Sequence, residues 1–220
     1  MSAILFGSIS TLVDTSELQR RAFNEAFQAH GLDWQWSQPD YVAMLESNGG
    51  AQRIADYAES RGDDVDAHAV HTTKSQIFQE LLATAGLKPR PGVLATVNEA
   101  KQRDVKLGFV TTTSPENVAA LLEALSPDID ADTFDVIVDR DSVDSPKPDA
   151  ASYLFALEQL GEDADAAVAI EDNVGGVAAA SAAGVRCVAF PNENTVDGDF
   201  AAAAKTVESL DAEQLVGLAG

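Results

Sequence analysis

Short apolar runs punctuate the chain at Ala3–Phe6, Lys106–Val110, Asp135–Val138 and Ala166–Ile170, with a fifth at Arg186–Phe190. Stretches of helical spacing separate them. Strands alternating with helices imply right-handed crossovers and a mainly parallel sheet, hence an α/β, doubly wound core. The stretch from Ser16 to about Arg90 breaks the rhythm. Leu18, Ala22, Phe23, Ala26 and Phe27 recur at helical spacing behind Thr15-Ser16, which is suited to capping. Tyr41–Leu45, Ala51–Ala58 and Ser75–Ala83 also read as helix, and no strand candidate lies among them. The pattern predicts a helical cap over residues 15–90, inserted into a core of residues 1–14 and 91–220. Pro91-Gly92 restarts the α/β alternation, and Val93, Val97 and Ala100 give a helix leading into the second strand. Trp34 and Trp36 fall in the first connection of the cap, where packing between cap helices is the expected role.

In an open parallel sheet, ligands bind beyond the carboxyl ends of the strands. After Val110 comes Thr111-Thr112-Thr113-Ser114-Pro115. Ser114 suits an N-cap and Pro115 the first helical position, and free amides and hydroxyls at a helix start suit an anion. After the third strand Lys147 stands between Pro146 and Pro148, which restrict the backbone around it. After Ile170 come Glu171-Asp172-Asn173, then Gly175-Gly176 and an alanine-rich helix. Two carboxylates at a strand end suit a hard cation such as Mg²⁺. Taken singly, each segment also reads as a cap, a solvated loop lysine or an acidic turn. Taken together, Thr111, Lys147 and Asp172 fall at three strand ends on one edge of one sheet.

Composition narrows the partners. The formal net charge is −22 over 220 residues. It opposes binding to nucleic acid and to anionic membranes, and the acids are spread along the chain as a solvated surface. No apolar run approaches the ~20 residues of a membrane span. No basic segment precedes Ala3–Phe6, so that run is expected as a strand rather than as part of a signal peptide. The single cysteine, Cys187, excludes an internal disulfide and fits a reducing, cytoplasmic setting. Nothing in the sequence speaks to oligomeric state.

The order hydroxyl, lysine, acidic pair, glycine resembles the second, third and fourth motifs of the haloacid dehalogenase (HAD) superfamily, in particular its β-phosphoglucomutase/CbbY-like branch. Glu171-Asp172-Asn173, Gly176-Val177, Ala179-Ala180 and Ala183-Gly184 fit the fourth motif, with Asn173 where serine is usual. Lys147-Pro148 fits the third, Thr111 the second, and Pro91-Gly92-Val93 the return of the chain to the core. The resemblance implies a Rossmann-like core with an inserted cap. It further implies a phosphate site at Thr111, Thr112 and Lys147, a Mg²⁺ site at Asp172, Glu171 and the backbone of residue 9, and a cap contact at Arg53. The implied partner is phosphate or a small phosphorylated metabolite.

The first motif departs from the family. Phe6 and Thr11-Leu12-Val13-Asp14-Thr15 match its pattern and fix the frame. The nucleophile position then holds Gly7, the general acid/base position Ile9, and the usual glycine is Ser10. The family's first aspartate attacks phosphorus and helps to ligate Mg²⁺, and its second protonates the leaving group. Such acid–base help is worth about 10²–10⁴ in rate. Gly7 and Ile9 supply none of this. Ser8 is expected to point away from the site if Gly7 lines it, since strand residues alternate. Mg²⁺ binding is expected to weaken, leaving Lys147 to hold an anion. Three readings stay open: a phosphate-binding protein that has lost phosphoryl transfer, a slow hydrolase with a displaced nucleophile, and a non-catalytic scaffold. Receiver domains of response regulators share the threonine and lysine, but they have no cap and need an acidic cluster after the first strand. In the cap, Trp34, Trp36, Asn48, Gly49, Gly50 and Arg53 are the candidates for specificity.

Overall fold

The computed structural model describes residues 2–45 and 49–219, so Asn48 lies outside the described residues. Among these residues one six-stranded, wholly parallel sheet runs in the order β3-β2-β1-β4-β5-β6. The strands are β1 (Ala3–Phe6), β2 (Lys106–Val110), β3 (Val136–Val138), β4 (Ala167–Glu171), β5 (Arg186–Ala189) and β6 (Lys205–Thr206). Every residue of β1 and β4 is buried, because helices cover both faces of the sheet. Alternation then divides each strand between two cores. Ile4, Phe6, Val168 and Ile170 face one, with Val93, Val97 and Leu121. Ala3, Leu5, Ala167 and Ala169 face the other, with Tyr153, Val177 and Ala180.

The chain builds outward from β1 through β2 to β3, returns to β4 beside β1, and continues outward the other way. The order reverses at β1, which sets a crevice beyond the carboxyl ends of β2, β1 and β4. The register pairs Phe6 with both Phe109 and Ile170, so Gly7 is level with Val110 and Glu171. The five predicted strands are present, with the third starting at Val136. The sixth, β6, goes beyond them: two polar residues behind an alanine run show no period to read.

Between β1 and β2 lie a one-turn helix α1 (Ile9–Leu12), then α2 (Ser16–Ala29), α3 (Gln38–Ala43), α4 (Gly50–Arg61), α5 (Ala67–Thr84) and α6 (Val93–Gln102). Helices α2 to α4, with part of α5, enclose a separate aromatic core of Phe23, Phe27, Trp34, Trp36, Tyr41, Ile54 and Val70. Both tryptophans are buried there. Trp36 packs edge-on to Phe27 at 4.7 Å and Trp34 donates from Nε1 to Asp63 at 2.9 Å. Helix α5 also packs against α7 (Pro115–Leu125), and Gln79 donates to Asn117 Oδ1 at 2.9 Å across that contact. The core is completed by α8 (Ala151–Leu160), α9 (Val174–Ala182) and α10 (Ala212–Leu218).

Candidate functional site

Each predicted element delivers its polar residue to the same sheet edge. Thr111 follows β2 and its Oγ1 accepts from Thr113 N–H at 3.3 Å. Ser114 caps α7 by accepting from Asn117 N–H, with Pro115 in the first turn. Lys147 arrives on the loop between β3 and α8, and Asp172 follows β4 directly. Gly7, Ser8, Thr111, Thr112, Arg140, Lys147, Asn173 and Gly175 line a cavity of about 380 Å³, which Gly49 of the insertion also borders.

Glu171 turns away from that cavity and is fully buried. Its Oε1 accepts from Lys147 Nζ at 2.6 Å and from Tyr153 OH at 2.7 Å, while Oε2 meets no hydrogen-bond donor among the described residues. Lys147 also donates to the carbonyls of Gly7 and Val110. Two glycines make room for this carboxylate. A Cβ at position 7 would overlap Glu171 Oε1 and Tyr153 OH, and one at position 176 would overlap the Glu171 carboxyl group. Burial pushes the Glu171 carboxyl above the usual carboxylate range, opposed by the Lys147 ammonium. Lys147 is therefore not a loose loop lysine but one half of a buried ion pair.

Asp172 is held by neutral donors. Oδ1 accepts from Ser8 Oγ at 2.7 Å and Asn173 Nδ2 at 2.8 Å, and Oδ2 accepts from Asn192 Nδ2 at 2.9 Å. The expectation that Ser8 points away from the site is corrected here. β1 ends at Phe6, and Ser8 is the extended N-cap of α1, so strand alternation no longer governs its direction. Ile9 is buried in the main core, and its carbonyl accepts from Val13 N–H at 3.2 Å.

The Mg²⁺ implied by the family does not fit this donor set. Residue 7 has no side chain to offer a metal; of the expected ligands, Glu171 is committed to Lys147, the Ile9 carbonyl accepts a helical bond, and Asp172 accepts from Ser8, Asn173 and Asn192. No group of three or more His, Cys, Asp or Glu side chains converges among the described residues.

The insertion carries buried cations of its own. Arg53 is buried, donates from Nε to Met44 O at 2.9 Å, and lies 5.7 Å from the Tyr41 ring centroid. Lys74, which the sequence pattern did not single out, is buried between Phe23 and Phe78 with its ammonium 4.7 and 4.8 Å from their centroids. It donates to Gln19 Oε1 and meets no carboxylate within ion-pair range among the described residues. Burial lowers its pKa to about 7, and burial with the neighbouring Lys74 lowers that of His71 to about 4. Its signal in the sequence was slight, a lone lysine on the apolar face of a helix.

The linkers are fastened as well. Arg90 donates to Ser10 O, Phe190 O and Pro191 O at 2.6–2.8 Å, and its guanidinium lies 3.4 Å from the Phe190 ring centroid.

A parallel sheet reversing at β1, a helical insertion after it, and a threonine, lysine and aspartate at adjoining strand ends define a Rossmann-like α/β core with a helical cap. The chain belongs to the haloacid dehalogenase-like hydrolase family, whose model matches residues 6–190. It is 39% identical to Protein CbbY of Rhodobacter capsulatus over 96% of this chain and 95% of that one. The crystal structure of CbbY from Rhodobacter sphaeroides in complex with phosphate superposes with a TM-score of 0.88 at 38% identity, covering 95% of this chain and 94% of that one. A point mutant of that CbbY in complex with xylulose-(1,5)bisphosphate gives 0.89, with the same identity and coverage.

Proposed function

We propose that this chain has lost the phosphoryl transfer of its family and keeps a pocket for phosphate or a small phosphorylated metabolite, in a reducing, cytoplasmic setting. The carrying observation is position 7. The nucleophile's carboxylate is not merely absent; the space beside its backbone is filled by Glu171 and Tyr153. Ser8 Oγ is nearby, but its hydroxyl is held by Asp172 Oδ1, which Asn173 Nδ2 also engages.

Retention of an anion site is supported by the cavity lining, where the hydroxyls of Ser8, Thr111 and Thr112 stand with Arg140 and Lys147. It is supported again by Lys74, whose buried ammonium meets no carboxylate within ion-pair range among the described residues and is costly until an anion arrives. Phosphate and a sugar bisphosphate are what the similar CbbY structures hold. A phosphate in the cavity would meet Arg140 and the hydroxyls of Thr111 and Thr112, with the Lys147 ammonium beneath it. In this reading Mg²⁺ is dispensable, because Glu171 is paired with Lys147 and Asp172 accepts from Ser8, Asn173 and Asn192.

Calorimetric titration with inorganic phosphate, with and without Mg²⁺, tests the reading. Saturable binding that survives chelation and is lost in Lys147→Ala is expected. Absence of any binding would favour the scaffold reading, and binding only with Mg²⁺ would restore the metal site.

A further inference from the structure

A chain of side-chain amides joins Asp172 to the helical insertion. Asn192 donates to Asp172 Oδ2 at 2.9 Å, and its own Oδ1 accepts from Asn194 N–H at 2.9 Å. Asn194 Oδ1 accepts from Gln38 Nε2 at 2.9 Å, at the start of α3, and Asn194 Nδ2 donates to Glu17 Oε1 at 3.4 Å, in the first turn of α2. Beyond them, Glu17 pairs with Arg20, and Arg20 donates to Trp36 O at 3.0 Å in the aromatic core of the insertion.

Asparagine is mostly a surface residue, yet Asn192 and Asn194 are 6% and 4% exposed. Asn192 joins Asp172 to its own loop, and Asn194 joins that loop to α3 and α2 of the insertion. The loop itself is closed locally, by Thr195 Oγ1 accepting from Asn192 N–H at 3.0 Å and Thr195 N–H donating to Asn192 O at 3.1 Å. Asn192 Oδ1 helps to close the same turn, whereas Asn192 Nδ2 and the Asn194 side-chain amide point outward and are not needed to form it. The insertion has its own core, and motion between such a unit and the sheet is the default expectation unless contacts hold it.

We propose that Asn192 and Asn194 are positioning residues that couple the orientation of the Asp172 carboxylate to the closure of the helical insertion over the sheet edge. The coupling does not depend on which ligand the pocket takes or on whether any chemistry occurs there. A displaced Asp172 loosens Asn192, and through it the hold of Asn194 on α2 and α3. An insertion that swings away releases Asn194 and lets the carboxylate turn.

Distance distributions between spin labels on Glu59→Cys in α4 and Glu158→Cys in α8, both exposed positions, test this in the unliganded full chain. The parent is expected to give a narrow distribution. Asn194→Ala and Gln38→Ala should each lengthen and broaden it, and the two together no more than the larger alone, since they cut one link. Asp172→Ala touches no residue of the insertion, yet should broaden it too, and Asp172→Asn, which keeps an acceptor for Asn192, should restore it. Should Asp172→Ala fail to fold, Asn192→Ser removes the same donor and carries the same expectation. Parent-like distributions in Asn194→Ala and Gln38→Ala would overturn the latch. Broadening there with a parent-like Asp172→Ala or Asn192→Ser would overturn the coupling.

Discussion

Glu171 reaches back from the end of β4 to lie against Gly7 at the end of β1, where a side chain on residue 7 would begin. Its carboxylate is paired with Lys147 at 2.6 Å and with Tyr153 at 2.7 Å. The glycine at position 7 leaves room for an acid from the neighbouring strand, which supplies Lys147 with a counter-ion. Position 7 has become a packing position whose small size matters.

Gly7→Ala should therefore destabilise the fold. The new Cβ meets two hydrogen-bonded, buried groups, and overpacking of this kind costs about 1–3 kcal/mol. Because one of the two is the tyrosine hydroxyl, the cost should shrink when Tyr153→Phe is already present. Urea midpoints of the four proteins in that cycle measure the difference, and equal costs in both backgrounds would contradict the overlap.

Glu171→Gln preserves the shape of the side chain and removes the counter-ion. Leaving Lys147 buried without its partner should cost up to about 3 kcal/mol in stability. The same change frees the ammonium for an anion, so inorganic phosphate should bind several-fold more tightly. Paired thermal unfolding and calorimetry check both halves, and a fall in both stability and affinity would mean that Glu171 serves the pocket directly.

Lys74→Met removes a buried ammonium that no carboxylate offsets among the described residues. The variant should be more stable than the parent by about 1–4 kcal/mol at pH 6. Burial lowers the folded pKa of Lys74 to about 7 from 10.5. Below pH 7 the lysine is charged in both states and the folded state bears the full cost. Between pH 7 and 10.5 the unfolded state binds the extra proton, so parent stability from this group rises with pH. The advantage of Lys74→Met should accordingly shrink across that window. Denaturation midpoints of both proteins from pH 6 to 10 test the sign, and an advantage that grew with pH would refute it. The variant should also bind phosphorylated sugars more weakly.

Much of the fold was legible because the buried strands are short apolar runs and the insertion carries helices and no strand among the described residues. Thr111, Lys147 and Asp172 were legible because each follows a strand, and topology alone brings strand ends together. What the linear pattern hid depends on side-chain direction. The inward turn of Glu171 follows from the emptiness at Gly7 and Gly176, two positions far apart in sequence. Ser8 reverses its expected direction because β1 stops one residue before Gly7. Lys74 sits in a run whose neighbours conceal it, and Asn192 and Asn194 lie in a loop with no periodicity to mark them. Phe6 and Thr11–Thr15, by contrast, fixed the frame in which Gly7 and Ile9 stand at the two positions the family fills with aspartate.

The central claim is that a family member with an intact fold no longer transfers phosphoryl groups. Release of inorganic phosphate from a panel of sugar mono- and bisphosphates, with Mg²⁺ present, measures this most directly. The account predicts release indistinguishable from the uncatalysed background for every ester. A robust rate that Lys147→Ala or Asp172→Ala abolishes would contradict it.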